Sequence, residues 1–283
     1  MRNVFIPETQ KDLFDIIADK PEAFLFAGGT DLFVKLRSGL VDAADLVSLE
    51  RINDLKGVED NGDEVFIGAC TTHSALLADS VIKKHFPVLV KSLMVLGSPQ
   101  IRNMGTIGGN IITASPAGDA LPPLYLLGAE VELKKKYSSR LVSIKDFIKG
   151  PGETDLAPGE VLTGVRLRKY PEYNLHHYEK VGQRNSLAIS IVSFAAVLNI
   201  NDAGIIARAR FAWGSAGPTV ITCEDAEDFL AGRPLSRESL EHAAYLARKA
   251  VTPIDDVRAS AEYRRQVSGN LILRIEGLLN RSE

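Results

Sequence analysis

Cysteine is almost missing from this chain: Cys70 and Cys223 are the only two among 283 residues. That scarcity excludes a four-cysteine iron–sulfur cluster or zinc site built by this chain alone. It also leaves no disulfide framework. The five histidines (His73, His85, His176, His177, His242) show no H-E-x-x-H or related spacing. His176 and His177 are neighbours, and adjacent strand residues point to opposite faces, so no metal site is expected. Long apolar runs are absent too, none approaching the ~18 residues of a membrane span. The opening Met1-Arg2-Asn3-Val4-Phe5-Ile6-Pro7 has no secretory apolar core, so the expected compartment is the cytoplasm. Neither sign of charge dominates: 33 basic and 36 acidic residues give a net −3, which favours neither nucleic acid nor an anionic membrane as partner. Two nucleotide signatures are lacking as well. No Gly-Lys-Ser/Thr occurs, which excludes a P-loop, and no G-x-G-x-x-G, which disfavours a Rossmann site.

What the chain does have is two glycine-rich runs in distant parts of the sequence, Ala27-Gly28-Gly29-Thr30-Asp31-Leu32 and Gly105-Thr106-Ile107-Gly108-Gly109-Asn110. Adjacent glycines let successive backbone N–H groups turn toward one point and form a concave anion site. Taken singly, each run also reads as an ordinary turn. Taken together, they suit a ligand with two joined phosphates, and a dinucleotide is the natural candidate.

Hydrophobic content of 45% supports a substantial core divided into two or three lobes. The pattern predicts a helix over 9–20 with Thr9 as N-cap, then a short buried strand Phe24–Ala27 leading into the first glycine run. A helix or irregular turn from Leu32 and a strand Ala44–Leu49 complete a β-α-β-like lobe, with the run at a strand's carboxyl end. Val65–Ala69 reads as a strand, Thr71 or Thr72 as a helix cap, and His73 as a first-turn surface residue. One helix is expected from Val81 to Leu96, ending at Gly97. Beyond the second run come the apolar segment Leu121–Leu127 and the strands Ala129–Leu133 and Val161–Leu167. The remainder reads as strands at Tyr178–Val181, Ala188–Ile200 and Ala207–Trp213. Helices follow at Asp225–Leu230, at Arg237–Ala250 and from about Val257 to Leu279.

Two longer stretches carry a resemblance. Pro99-Gln100-Ile101-Arg102-Asn103-Met104-Gly105-Thr106-Ile107-Gly108-Gly109-Asn110-Ile111 through Ala114-Ser115-Pro116-Ala117-Gly118-Asp119 is similar to the flavin-binding signature of the molybdenum hydroxylases. Ala27 to Leu32 resembles the partner motif of that family. The family is that of the FAD-binding medium subunit of carbon monoxide, xanthine and nicotinate dehydrogenases. The likeness continues through Gly150-Pro151 with Thr154 and Gly159-Glu160, Lys180-Val181-Gly182-Gln183-Arg184, and Asp255-Asp256-Val257-Arg258 with Tyr263-Arg264-Arg265.

The resemblance implies an α+β fold: a two-lobed FAD-binding domain of the vanillyl-alcohol-oxidase type (1–54 and 55–168), then an α+β carboxyl-terminal domain (169–283). By position it implies that Ala27, Gly28, Gly29, Thr30, Asp31 and Leu32, with Thr106, Ile107, Gly108, Gly109 and Asn110, contact the FAD pyrophosphate through N–H and hydroxyl groups. Asp119 would approach the ribose and adenine-side hydroxyls, or else cap the helix starting near Ala120. Leu162 would touch the isoalloxazine through its main chain, Lys180 would sit at the ring's pyrimidine end, and Leu96 would pack on adenine or ring. A cation beside the ring stabilises negative charge on the reduced flavin and raises its potential. The FAD is expected to be non-covalent, since neither run carries a histidine. The segment Ser186-Leu187-Ala188 offers no aromatic cover for the ring.

In such complexes molybdopterin and the [2Fe–2S] clusters belong to large and small partner subunits. The flavin subunit would accept single electrons from the iron–sulfur subunit and pass pairs to NAD, a quinone or oxygen. The alternative is a stand-alone FAD-dependent oxidoreductase acting on its own organic substrate.

Overall fold

The computed structural model describes residues 2–184 and 187–279. They fall into two compact units that interleave along the sequence, 1–83, 97–114 and 128–169 against 84–96, 115–127 and 170–283. The sequence reading expects three consecutive segments. By compactness, two short early stretches, 84–96 and 115–127, group with the carboxyl-terminal unit.

The first unit opens with β1 (Asn3–Phe5), α1 (Gln10–Asp19), β2 (Phe24–Phe26), α2 (Leu32–Arg37) and β3 (Asp45–Ser48). The strands form a parallel sheet in the order β1-β3-β2. The Thr9 hydroxyl accepts from Asp12 N and fixes where α1 begins. One α1 face then buries Leu13 and Phe14 against Val47, Leu49, Ile52 and Leu55. β2 is less buried than its apolar sequence suggests, with Phe24 39% exposed. At three residues on a sheet edge, it covers too little area to be enclosed.

Next come β4 (Val58–Asp60), β5 (Glu64–Gly68), α3 (His73–Ala78), α6 (Pro99–Met104), α7 (Ile107–Thr113), β6 (Glu130–Lys135), β7 (Ser138–Ser143), α9 (Ile144–Phe147), β8 (Ile148–Gly150), β9 (Glu153–Thr154) and β10 (Val161–Arg168). Five of these strands make an antiparallel sheet in the order β4-β5-β10-β6-β7, and β8 and β9 pair separately. β10 lies at the centre and is buried over most of its length, consistent with its nearly continuous apolar run.

The units divide within α4 (Ser80–His85). The helix expected over Val81–Leu96 is two helices, because Pro87 has no N–H to donate and opens α5 (Pro87–Val95) at its first turn. The second unit also contains α8 (Leu121–Leu126) and the antiparallel sheet β11 (Leu175–Val181), β12 (Val192–Ile200), β13 (Ile206–Gly214) and β14 (Ile221–Thr222). Helices α10 (Glu224–Leu230), α11 (Arg237–Ala250), α12 (Ala261–Leu273) and α13 (Glu276–Leu279) follow. Phe194, Phe211 and Trp213 pack as a triplet of rings in its core, and the Trp213 indole donates to Ser268 O at 3.1 Å.

The last helix starts later than expected. Asp256 accepts from Arg258 N and Ala259 N, which holds a turn, and Ser260 then caps α12. Val257, the expected start of that helix, is therefore 99% exposed.

Candidate functional site

In the first unit the chain leaves β2 directly into Gly28 and Gly29. A Cβ built on Gly28 would lie 1.8 Å from the carbonyl oxygen of Met104, so only glycine permits this approach of two backbones. Gly29 has φ +67°, in the left-handed region that L side chains avoid. The amides of Gly28, Gly29, Thr30 and Asp31 donate to no acceptor among the described residues. Amides left without an acceptor in this way can donate to an anion. Asp31 then starts α2, pairs with Lys35 at 2.7 Å, and accepts a long bond from the Thr113 hydroxyl at 3.3 Å.

The second run has a different local structure. It starts the helix α7, with the Thr106 hydroxyl accepting from Gly109 N. Ile107 N donates to Thr71 O, Gly108 N to Ala69 O, and Asn110 N to Thr106 O. The amides from Ile107 to Asn110 are thus committed within the chain. What the run offers is closeness: a Cβ on Gly108 would stand 2.7 Å from the Ala69 carbonyl oxygen. It also offers the Asn110 side-chain oxygen, which is buried and has no hydrogen-bond partner among the described residues.

A cavity of about 290 Å³ lies in the same unit and is lined by Ala27, Gly28 and Thr106, together with Lys56, Cys70 and Thr72. None of those last three was expected from sequence as a cofactor-binding residue. Cys70 is buried, and burial pushes its thiol up to about 11, so it is protonated and inert at neutral pH. Leu162, on β10 at a bulge between Leu162 and Gly164, is buried opposite Leu133 of β6. His73 is not the surface residue expected. It is 2% exposed, its N–H donates to Gly105 O, and its Nδ1 has no partner among the described residues. Burial, with the Arg102 cation adding, pushes its imidazole down to about 4 and keeps it neutral.

In the second unit Asp119 is buried just before α8. Its Oδ2 lies 2.6 Å from the Lys180 ammonium, and its Oδ1 accepts from the Tyr178 hydroxyl at 3.2 Å. Tyr178 and Lys180 are two apart on β11 and so share one face. Lys180 also approaches the Val95 carbonyl at 3.4 Å. Burial raises the Asp119 carboxyl, while Lys180 pulls it the other way. Burial likewise raises the Tyr178 phenol, which is therefore a hydrogen-bond donor at any ordinary pH. The helix-cap alternative for Asp119 is not realised, because α8 has no side-chain cap.

Asp119 and Lys180, expected at different parts of the FAD, are thus in direct contact with each other. Leu96, at the end of α5 in this unit, is buried with 7% exposed. Of the segment that offers no aromatic cover, Ser186 lies outside the described residues, and Leu187 is exposed with φ +53°. Tyr178 is the partner that sequence reasoning missed, although the alternation Tyr178-x-Lys180 on a strand carried the signal.

Among the described residues no helix is long and apolar enough to cross a membrane. Comparison with known proteins matches residues 1–169 to the family described as the FAD binding domain in molybdopterin dehydrogenase, and residues 176–276 to the CO dehydrogenase flavoprotein C-terminal domain. A xanthine dehydrogenase FAD-binding subunit from Escherichia coli O157:H7 is 32% identical over 259 residues, covering 90% of this chain and 88% of the relative. The carbon monoxide dehydrogenase medium chain of Afipia carboxidovorans is 32% identical over 248 residues, covering 88% and 85%. Among solved structures, quinoline 2-oxidoreductase from Pseudomonas putida 86 superposes with a TM-score of 0.93 at 27% identity, over 98% of this chain and 96% of that one. The cyanide-inactivated Cu,Mo-CO dehydrogenase gives 0.90 at 30% identity, over 97% and 96%.

Proposed function

Because this chain belongs to the family of FAD-binding flavoprotein subunits of molybdopterin dehydrogenases, we propose that it relays electrons within such a complex. It takes them singly from an iron–sulfur subunit and delivers them in pairs to NAD, a quinone or oxygen. Substrate oxidation belongs to a molybdenum-bearing large subunit. The bound FAD supplies the step between one- and two-electron chemistry. This chain's residues hold the FAD and set the environment of its ring.

The observation that carries the reading is the run of amides from Gly28 to Asp31, with no acceptor of their own among the described residues and beside the Met104 backbone, which we read as an anion nest. A pyrophosphate supplies the missing acceptors. Ala27 and Leu32 frame that nest. Thr106, Ile107, Gly108 and Gly109 contribute a surface without side-chain bulk, and Asn110 a polar side chain with unused capacity. Asp119 and Lys180 together meet the flavin end, where a carboxylate can accept from hydroxyls and an ammonium can face developing negative charge. Leu96 and Leu162 supply apolar packing.

The chain on its own should bind FAD non-covalently and show no reduction by added purines, nicotinate or carbon monoxide. The same flavin should bleach when the native companion subunits and their substrate are supplied. Bleaching of the lone chain by an organic compound would establish the stand-alone oxidoreductase instead.

A further inference from the structure

The ion pair of Asp119 and Lys180 is nearly enclosed, with 7% and 11% of the two side-chain surfaces exposed. An ammonium held 2.6 Å from a carboxylate presents a dipole to its surroundings rather than a full positive charge. The Tyr178 hydroxyl fixes the second carboxylate oxygen, so the carboxylate cannot swing away from the lysine without losing that bond. The Val95 carbonyl, at the end of α5, limits the ammonium from another side. Three elements, β11, α5 and the turn before α8, therefore determine where Lys180 sits and how much of its charge is felt.

We propose that Asp119 is a positioning residue for Lys180: it aims the ammonium and tempers its charge, so that the pair, not the lysine alone, sets the flavin's reduction potential. The inference rests on the reading above, that the chain carries FAD with its ring beside Lys180. Opposite charges in low-dielectric surroundings act strongly on a third group, and removing one of them leaves the other uncompensated. Removing Asp119's charge therefore exposes the cation and favours the reduced, more negative flavin. Removing Lys180's charge leaves the carboxylate and disfavours it. Removing both restores neutrality.

The test uses the native complex carrying Asp119→Asn, Lys180→Met, or both, with flavin content and midpoint potential measured against redox dyes. Asp119→Asn should raise the ratio of reduced to oxidised flavin at fixed potential at least tenfold, about 30 mV for a two-electron couple. Lys180→Met should lower it by a similar factor. The double variant, which leaves no unpaired buried charge, should stay within about threefold of the wild type. If the double variant instead matches Lys180→Met, the lysine acts alone and the proposal fails. It also fails if the single variants retain flavin and shift in the same direction. A purely structural pair would change thermal stability and leave the potential where it was, which counts against the proposal too. A wild-type complex whose medium subunit carries no flavin would overturn the FAD reading itself, and the inference with it.

Discussion

Gly28 and His73 show how single positions constrain this protein in opposite ways. At Gly28 the constraint is steric, since a methyl group would enter the Met104 carbonyl, which is backbone and cannot rotate aside. Gly28→Ala should lower unfolding stability by about 1–3 kcal/mol, the usual cost of overpacking, and should abolish stoichiometric FAD binding. Denaturant titration and the flavin-to-protein absorbance ratio measure the two effects. Gly39 is a control: it has φ +73° but nothing within 4 Å of where a methyl group would stand, so Gly39→Ala should lose some stability and keep its flavin.

At His73 the constraint is electrostatic. The folded protein holds the imidazole neutral down to about 4, whereas the unfolded chain takes up a proton near 6.5. The associated stability is therefore fully present above pH 6.5 and is lost as the pH falls toward 4. A depression of that size corresponds to about 3 kcal/mol. The difference in unfolding free energy between wild type and His73→Leu should shrink over that window. A difference that stays flat across it would show that His73 is not buried as a neutral group.

At the scale of elements, helix starts govern the site. Thr106 caps α7 through its hydroxyl, so Thr106→Ala should cost about 1 kcal/mol in urea unfolding, and Thr106→Ser should recover most of it. Equal losses for both variants would mean that the threonine methyl, not the hydroxyl, matters there. The same helix explains part of what the sequence hid. Its Ile107-Gly108-Gly109-Asn110 start reads as a turn because glycine is a poor helix former. Tertiary contact overrides that propensity, since α7 needs Gly108 to come close to Ala69.

By contrast α1, β3, β5, β10 and, in the second unit, β11, β12 and β13 were legible, because their apolar periodicity agrees with their burial. β1 was not, being only three residues with Val4 54% exposed. The break at Pro87 was readable in principle, yet the apolar pattern runs through it unchanged. The two glycine motifs of the proposed site were legible, but not the different local structures they adopt. Free amides belong to the first run and committed ones to the second, a distinction that depends on hydrogen bonds to Ala69 and Thr71, outside either motif.

At the scale of the whole molecule, the interleaving of the two units matters most. Asp119 precedes the second unit's sheet by some sixty residues in sequence, yet it packs within that unit beside Tyr178 and Lys180. A truncation after residue 169 would keep the family's FAD-binding segment but remove both partners of Asp119. Such a fragment should expose a buried carboxylate and the apolar face of α8, and should aggregate on expression. A monodisperse fragment by size-exclusion chromatography would contradict that.

Two cysteines are too few for a four-cysteine cluster in this chain alone, and the proposed relay draws its electrons from another subunit. The most direct measurement is therefore to purify the chain from its native source with whatever accompanies it, and to record visible spectrum and metal content together. FAD with molybdenum and iron in two companion chains is the predicted result. FAD in a lone, metal-free chain that turns over an organic substrate would contradict the account.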